Sequence, residues 1–225
     1  MTARHVVILA NGQLLDLQRA RRAIQAADRL ICADAGAAHA IRLEVTPDVV
    51  VGDLDSLDPA HYAILKAAGV RFEVHPQLKD KTDLELALQL AVTEGAQEID
   101  LLGTQGGRLD QTLGNVLLLA RPEWATVQMR ILEGDQTAWV LRGGQECVIH
   151  ATIGDTLSLL PLTPQVHHVT LSGVRWPLHN HTLHFGDTLT LSNVLTQSSA
   201  RVEAGTGILL IVHQGSLYSV DFCQK

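Results

Sequence analysis

Two aspartates one residue apart, Asp53 and Asp55, close the apolar run VVVGDLDSLDP (49–59). Side chains at i and i+2 of a strand share a face, so an extended continuation of this run sets two carboxylates side by side. Such a pair is tolerable if it is solvated, if one member keeps its proton, or if a cation sits between them. Further acids stand at equivalent places. Asp34 lies in ADAGA (33–37), Asp80 and Asp83 in KDKTD (79–83), and Asp110 in TQGGRLD (104–110). Lys79, Lys81 and Arg108 are interleaved with them, and Gly106 and Gly107 let backbone N–H groups approach an anion ahead of a helix N-terminus. This mixture suits a polyphosphate held with a hard cation. Mg²⁺ takes oxygen ligands, typically one or two carboxylates plus phosphates and water. Each piece also has a plainer use: a DxD after a strand makes a turn and a helix cap, and Asp83 and Asp110 fall in first helical turns, where the macrodipole favours acids.

The elements that must carry these residues alternate. Strand-like runs at 5–10, 29–34, 49–53, 70–75, 98–103 and 127–132 are separated by helical stretches. The first helix is expected over about 13–27. Asp58-Pro59 forms an N-cap and first helical position, and Thr82-Asp83-Leu84-Glu85 reads as a capping box opening a helix to about Glu94. This pattern predicts a mostly parallel α/β sheet with helices on both faces over 1–134. In such sheets ligands bind at the carboxyl ends of the strands, and four successive carboxyl ends here carry Asp. From about 135 the grammar changes. TLSLLPL, HVTLSG, TLTLSN and ILLIVH are short strand-like segments between glycine-rich turns, which predicts an antiparallel β-sandwich over 135–225. GDTLSL (154–159) and GDTLTL (186–191) echo one another as two similar turn-strand units.

Several classes are disfavoured. A net charge of −7 argues against non-specific binding to nucleic acid or an anionic membrane. No segment approaches twenty apolar residues, and three scattered cysteines fit a reducing cytoplasm. There is no GxxxxGK(S/T) phosphate loop and no GxSxG elbow. His179, His181 and His184, with His167 and His168, have metal-ligating types but no cysteine partner and no HExxH; surface or half-buried histidines are expected.

Taken together, ADAGA (33–37), PDVVVGDLDS (47–56), KDKTDLELAL (79–88) and GGRLDQTLGN (106–115) resemble the thiamine pyrophosphokinase family in order and spacing, and GVRWPL (173–178), LSN (191–193) and VEAGTGILLIV (202–212) resemble its thiamine-binding β domain. The resemblance implies a catalytic ATP- and Mg²⁺-binding domain (1–134) and a thiamine-binding domain (135–225). The implied reaction moves the pyrophosphoryl group of ATP to the thiamine hydroxyl, giving thiamine diphosphate and AMP. It implies a cytoplasmic homodimer whose substrate sites are shared between chains. By motif, Asp53 and Asp55 look like Mg²⁺ ligands, helped by Asp83 or Asp110, and Arg108 like the phosphate-gripping arginine. Asp83 would orient or deprotonate the acceptor. Asp34, Lys79, Asp80, Thr82, Asp110 and Thr112 look like nucleotide or phosphate contacts, and Ser192 and Asn193 match the pair near the aminopyrimidine. Trp176 would stack on a cationic ring or else pack between strands.

Two departures bear on this. ADAGA stands where the family usually has ADGGA, so Ala35 needs a conformation open to a residue with a Cβ. TLSNV stands for GISNE, which leaves room for another hydroxymethyl heterocycle, such as a pterin, as acceptor. A DxD nucleotide-sugar transferase and a haloacid-dehalogenase-type phosphatase account for GDLDS but not for KTD with GGRLDQT. A non-catalytic thiamine-binding module of the same fold is the remaining alternative.

Overall fold

The computed structural model describes residues 4–76 and 80–224, with side chains through Phe222. The chain forms two compact units, Met1–Gly134 and Asp135–Lys225. Among the described residues the first has six strands: β1 (His5–Leu9), β2 (Arg29–Ala33), β3 (Val49–Gly52), β4 (Arg71–Val74), β5 (Glu98–Leu102) and β6 (Gln128–Glu133). All pair in parallel, in the order β4-β3-β2-β1-β5-β6. The chain thus steps outward from β1 to β4, then returns to the other side of β1 for β5. β3 is buried at all four positions, as a strand covered on both faces requires.

Among the described residues five α-helices accompany the sheet: α1 (Leu17–Ala26), α2 (Ala37–Arg42), α3 (Pro59–Ala67), α4 (Asp83–Thr93) and α5 (Leu109–Leu118). Val7, Leu9, Cys32 and Val50 form one core with Ala20, Ala37, Ala40 and Leu65 from the first three helices. The alternate residues Ile8, Ile31 and Val51 are buried on the opposite face. Helix starts follow local chemistry. Asp16 accepts the Arg19 N–H at 2.9 Å, so α1 begins at Leu17 rather than 13. Asp58 accepts the Ala60 N–H at 2.7 Å with Pro59 in the first turn. Thr82 accepts the Glu85 N–H at 3.2 Å, but only half of the expected capping box forms, because the Glu85 carboxylate takes Arg121 at 2.5 Å instead.

The second unit is a β-sandwich. Strands β7 (Gln136–Arg142), β8 (Gln145–Ala151), β9 (Thr156–Pro161), β10 (Gln165–Ser172), β11 (Leu178–His184), β12 (Asn193–Val194), β13 (Ser199–Ala204), β14 (Ile208–Gln214) and β15 (Leu217–Gln224) form two antiparallel layers. These are β12-β9-β14-β7 and β11-β10-β13-β8-β15. Their inner faces, including Trp139, Ile149, Leu159, Leu171, Val202 and Ile211, share one core. The TLTL segment expected as a strand is a turn. Thr190 is buried, and its hydroxyl donates to the Leu159 carbonyl at 2.5 Å, while Leu189 and Leu191 are exposed and Ser192 turns the chain with φ +56°. Of the two echoed units, only the first is a strand.

A buried charge cluster ties β1, β5 and β6 together. His5 Nε2 lies 2.9 Å from Asp100, which also accepts two bonds from Arg130 at 2.7 and 3.0 Å. The hydrogen bond to Asp100 raises the His5 pKa above its ordinary 6.5 against the opposing effect of burial. Burial pushes Asp100 up, but the bonds from His5 and Arg130 overcome it and hold the carboxyl below its ordinary value. The His5 contribution is therefore complete below pH 6.5 and lost as pH rises through the raised value; the Asp100 contribution is lost as pH falls through the lowered one. Denaturant titrations should show the parent losing stability as pH rises above 6.5, with His5→Asn losing less over the same range.

Candidate active site

The order of strands reverses between β1 and β5, and a crevice opens there at their carboxyl ends, where α/β sheets bind ligands. It has a volume of about 490 Å³, within the roughly 300–1,000 Å³ of small-molecule sites. Its walls include Asn11, Asp34, Thr82, Asp83, Gln105 and Arg108. Close backbone packing shapes it. Gly12 donates to the Gly103 carbonyl at 2.7 Å, and a Cβ on Gly12 would stand 2.1 Å from the Gln105 oxygen.

Three carboxylates gather beside this crevice. Oxygens of Asp34, Asp53 and Asp55 all lie within 4.8 Å of one another. β3 ends at Gly52, so the expected strand alternation does not place the DxD pair. Instead Leu54 takes φ +64°, and in the resulting turn the Asp55 N–H donates to Asp53 at 3.1 Å. Asp34 arrives from neighbouring β2, held at φ +45°. Backbone in this region is strained for a residue with a Cβ, a condition that gathers at functional sites. Asp34 is 6% exposed, and its Oδ1 has no hydrogen-bond partner among the described residues. Burial pushes its pKa up; the charges of Asp83 and Asp53 push the same way, against donors at Ala35 and Ser56. Gly52 brings Asp83 into this group, since a Cβ there would lie 3.0 Å from both Asp83 Oδ1 and the Asp34 Cβ.

This donor set fits a hard divalent ion. The oxygens are hard ligands, one is buried without a partner, and all three lie within 4.8 Å of one another, close enough to share one ion. Among the described residues no histidine group qualifies, so HNHTLH carries no such cluster.

The other sequence-derived residues divide. Thr82 and Asp83 line the crevice at the start of α4. Arg108 lines it too, and pairs with Asp110 through bonds of 2.5 and 3.2 Å on an exposed surface. That pairing lowers the Asp110 pKa and raises that of Arg108. Asp110 is not in the carboxylate cluster. The Thr112 hydroxyl donates back to the Arg108 carbonyl at 3.1 Å. Asp80 is exposed and Thr112 half-buried, both outside the lining, and Lys79 lies outside the described residues. In the second unit Trp176 is 57% exposed, with the Arg175 guanidinium 5.5 Å from its ring, so it is not packed between strands. Asn193 is buried and brackets the Trp176 backbone: Oδ1 accepts the Trp176 N–H at 3.1 Å, and Nδ2 donates to the Trp176 carbonyl at 2.7 Å. Ser192 is exposed, and its N–H donates to Ser158 Oγ at 2.9 Å.

The geometry also shows residues the motifs did not flag. Asn11, Gln105, Gln111 and Asn115 line the crevice. Gln105, Gln111 and Asn115 stand inside TQGGRLD and GGRLDQTLGN without a role assigned to them, and the signal for Asn11 was the Asn11-Gly12 pair after β1, a turn at a fifth carboxyl end.

Comparison with known proteins decides what this arrangement belongs to. Residues 20–132 match the family model described as thiamin pyrophosphokinase, catalytic domain, and residues 146–209 match the one described as thiamin pyrophosphokinase, vitamin B1 binding domain. The chain belongs to the thiamine pyrophosphokinase family. It is 28% identical over 179 residues to the thiamine pyrophosphokinase of Bacillus subtilis, covering 80% of this chain and 84% of that one. The crystal structure of thiamin pyrophosphokinase from Geobacillus thermodenitrificans superposes with a TM-score of 0.81 at 30% identity, covering 94% of this chain and 98% of that one. The Bacillus subtilis crystal structure, at 24% identity, shares the fold with a TM-score of 0.84 over 94% of this chain and 99% of that one. Among the described residues no helix is long and apolar enough to cross a membrane.

Proposed function

We propose that this protein transfers the pyrophosphoryl group of ATP to thiamine, forming thiamine diphosphate and releasing AMP. The observation that carries the reading is the convergence of Asp34, Asp53 and Asp55 beside the crevice at the β1/β5 reversal, in a chain of this family. Asp53, Asp55 and Asp34 would hold Mg²⁺, with Asp83 beside them. Bound there, the ion supplies charge neutralisation on the phosphate oxygens of the nucleotide. Arg108, at the crevice wall and N-terminal to α5, would grip phosphate, with Asp110 steering its guanidinium.

The chemistry balances as an in-line displacement. The thiamine hydroxyl oxygen bonds to the β-phosphorus, the bond from that phosphorus to the oxygen bridging it to the α-phosphate breaks, and AMP departs with the electron pair. Asp83 takes the hydroxyl proton as attack proceeds. The exposed Trp176, held by Asn193, offers a face for a cationic ring, with Ser192 nearby in sequence. The match to the catalytic-domain model, with the carboxylate cluster in place, favours an enzyme over a binding module of the same fold. A homodimer with shared substrate sites would sediment near twice the 24.4 kDa chain mass.

Product chromatography with ATP, Mg²⁺ and thiamine tests the reading. Equal amounts of AMP and thiamine diphosphate, abolished by EDTA, are expected. ADP with thiamine monophosphate, or AMP formed only with another hydroxymethyl heterocycle, would overturn it.

A further inference from the structure

Glu133, the last residue of β6, is 3% exposed, and the chemistry above gives it no task. Its Oε1 accepts the Thr104 N–H at 2.6 Å and the Thr104 hydroxyl at 3.0 Å, and the nearby Gln105 N–H favours its charged form. The carbonyls of the same loop are engaged one after another. Leu102 accepts from the Ala10 N–H at 2.8 Å, Gly103 from Gly12 at 2.7 Å and Gln105 from Gln13 at 2.6 Å, while Thr104 accepts from Asn115 Nδ2 at 2.7 Å. No carbonyl from 102 to 105 has to turn into the crevice to be satisfied, where it would repel an anion.

A buried carboxylate is a costly anchor. Burial pushes its pKa up, and an amide would avoid the desolvation of a charge. Two Thr104 donors bond one of its oxygens, however, and the Gln105 N–H favours its charged form, a setting that a group with acceptors and no donors meets best. An amide would turn its own N–H₂ toward one of them. We propose that Glu133 is a positioning residue for nucleotide binding: from behind, it holds the Thr104 amide and hydroxyl and so fixes the Gly103–Gly106 loop with its glycines, and none of these carbonyls, facing the phosphates. This inference rests on the nucleotide reading of the crevice.

Two variants test it, Glu133→Gln and the milder Thr104→Val. The binding of a non-hydrolysable ATP analogue with Mg²⁺ is measured by calorimetry, beside KM, kcat and melting temperature. Glu133→Gln should weaken analogue binding and raise the nucleotide KM about tenfold, with the acceptor KM unchanged and kcat within about threefold. Thr104→Val should weaken binding about threefold, and the double variant should be no weaker than Glu133→Gln alone. A purely structural role would lower the melting temperature and leave analogue affinity at the parent value in both variants, which overturns the inference. If Glu133→Gln does not fold, parent-like affinity in Thr104→Val has the same force. Failure of the parent itself to bind the analogue overturns the nucleotide reading, and this inference with it.

Discussion

Asp34→Asn is expected to remove at least about 99% of turnover while leaving the melting temperature at or above that of the parent. Two properties of the site produce these opposite signs. Asp34 is buried, and its charge is opposed by burial and by neighbouring Asp83 and Asp53, so neutralising it relieves repulsion in the folded state. Asparagine also accepts the left-handed φ of +45° and leaves the Ser56 hydroxyl on Asp55 at 2.9 Å undisturbed. The same change takes a charged oxygen from the three-carboxylate cluster. Steady-state rates and thermal melts of one preparation check both halves. Full turnover would remove Asp34 from the cation site. A lower melting temperature would show that its carboxylate supports the fold instead of burdening it.

Gly36→Ala should destabilise the first unit by about 3 kcal/mol or more, the upper part of the range for overpacking. A Cβ there would stand 2.2 Å from the Leu9 carbonyl oxygen at the end of β1, a contact that side-chain motion cannot relieve. The backbone at Gly36 has φ −54°, so the cost is steric and not conformational. Gly69→Ala separates the two effects. Gly69 has φ +79° with nothing within 4 Å of a new Cβ, so only about 1 kcal/mol of conformational cost is expected. Equal losses in the two variants, measured by denaturant unfolding, would contradict this account. The neighbouring Ala35 lies in a short 3₁₀ turn, away from the left-handed region, which is why alanine is accommodated in ADAGA.

These positions show what was legible beforehand. The α/β alternation was visible because strand and helix periods differ and because Asp58-Pro59 and Thr82 mark helix starts at the chain level. The acidic loops were visible as motifs. Their grouping was not, because sequence does not state strand order. β2 and β3 are neighbours, so Asp34 joins Asp53 and Asp55, although its motif suggested only a nucleotide contact. β5 lies on the far side of β1, and Asp110 on the helix that follows it pairs with Arg108 at the surface, away from that cluster. Period-two alternation likewise misread TLTL, where a tertiary bond from Thr190 to β9 prevailed over local pattern. Glu133 carried no motif at all; only the fold brings the end of β6 beneath the loop after β5.

The most direct test of the central claim replaces Mg²⁺ with Mn²⁺ and counts bound ions by electron paramagnetic resonance, in the parent and in Asp53→Asn, with a non-hydrolysable ATP analogue present. The parent should retain the Mn²⁺–nucleotide complex, and Asp53→Asn should bind it at least about tenfold more weakly while remaining folded. Equal retention by the two proteins would place the cation elsewhere and contradict the three-carboxylate site.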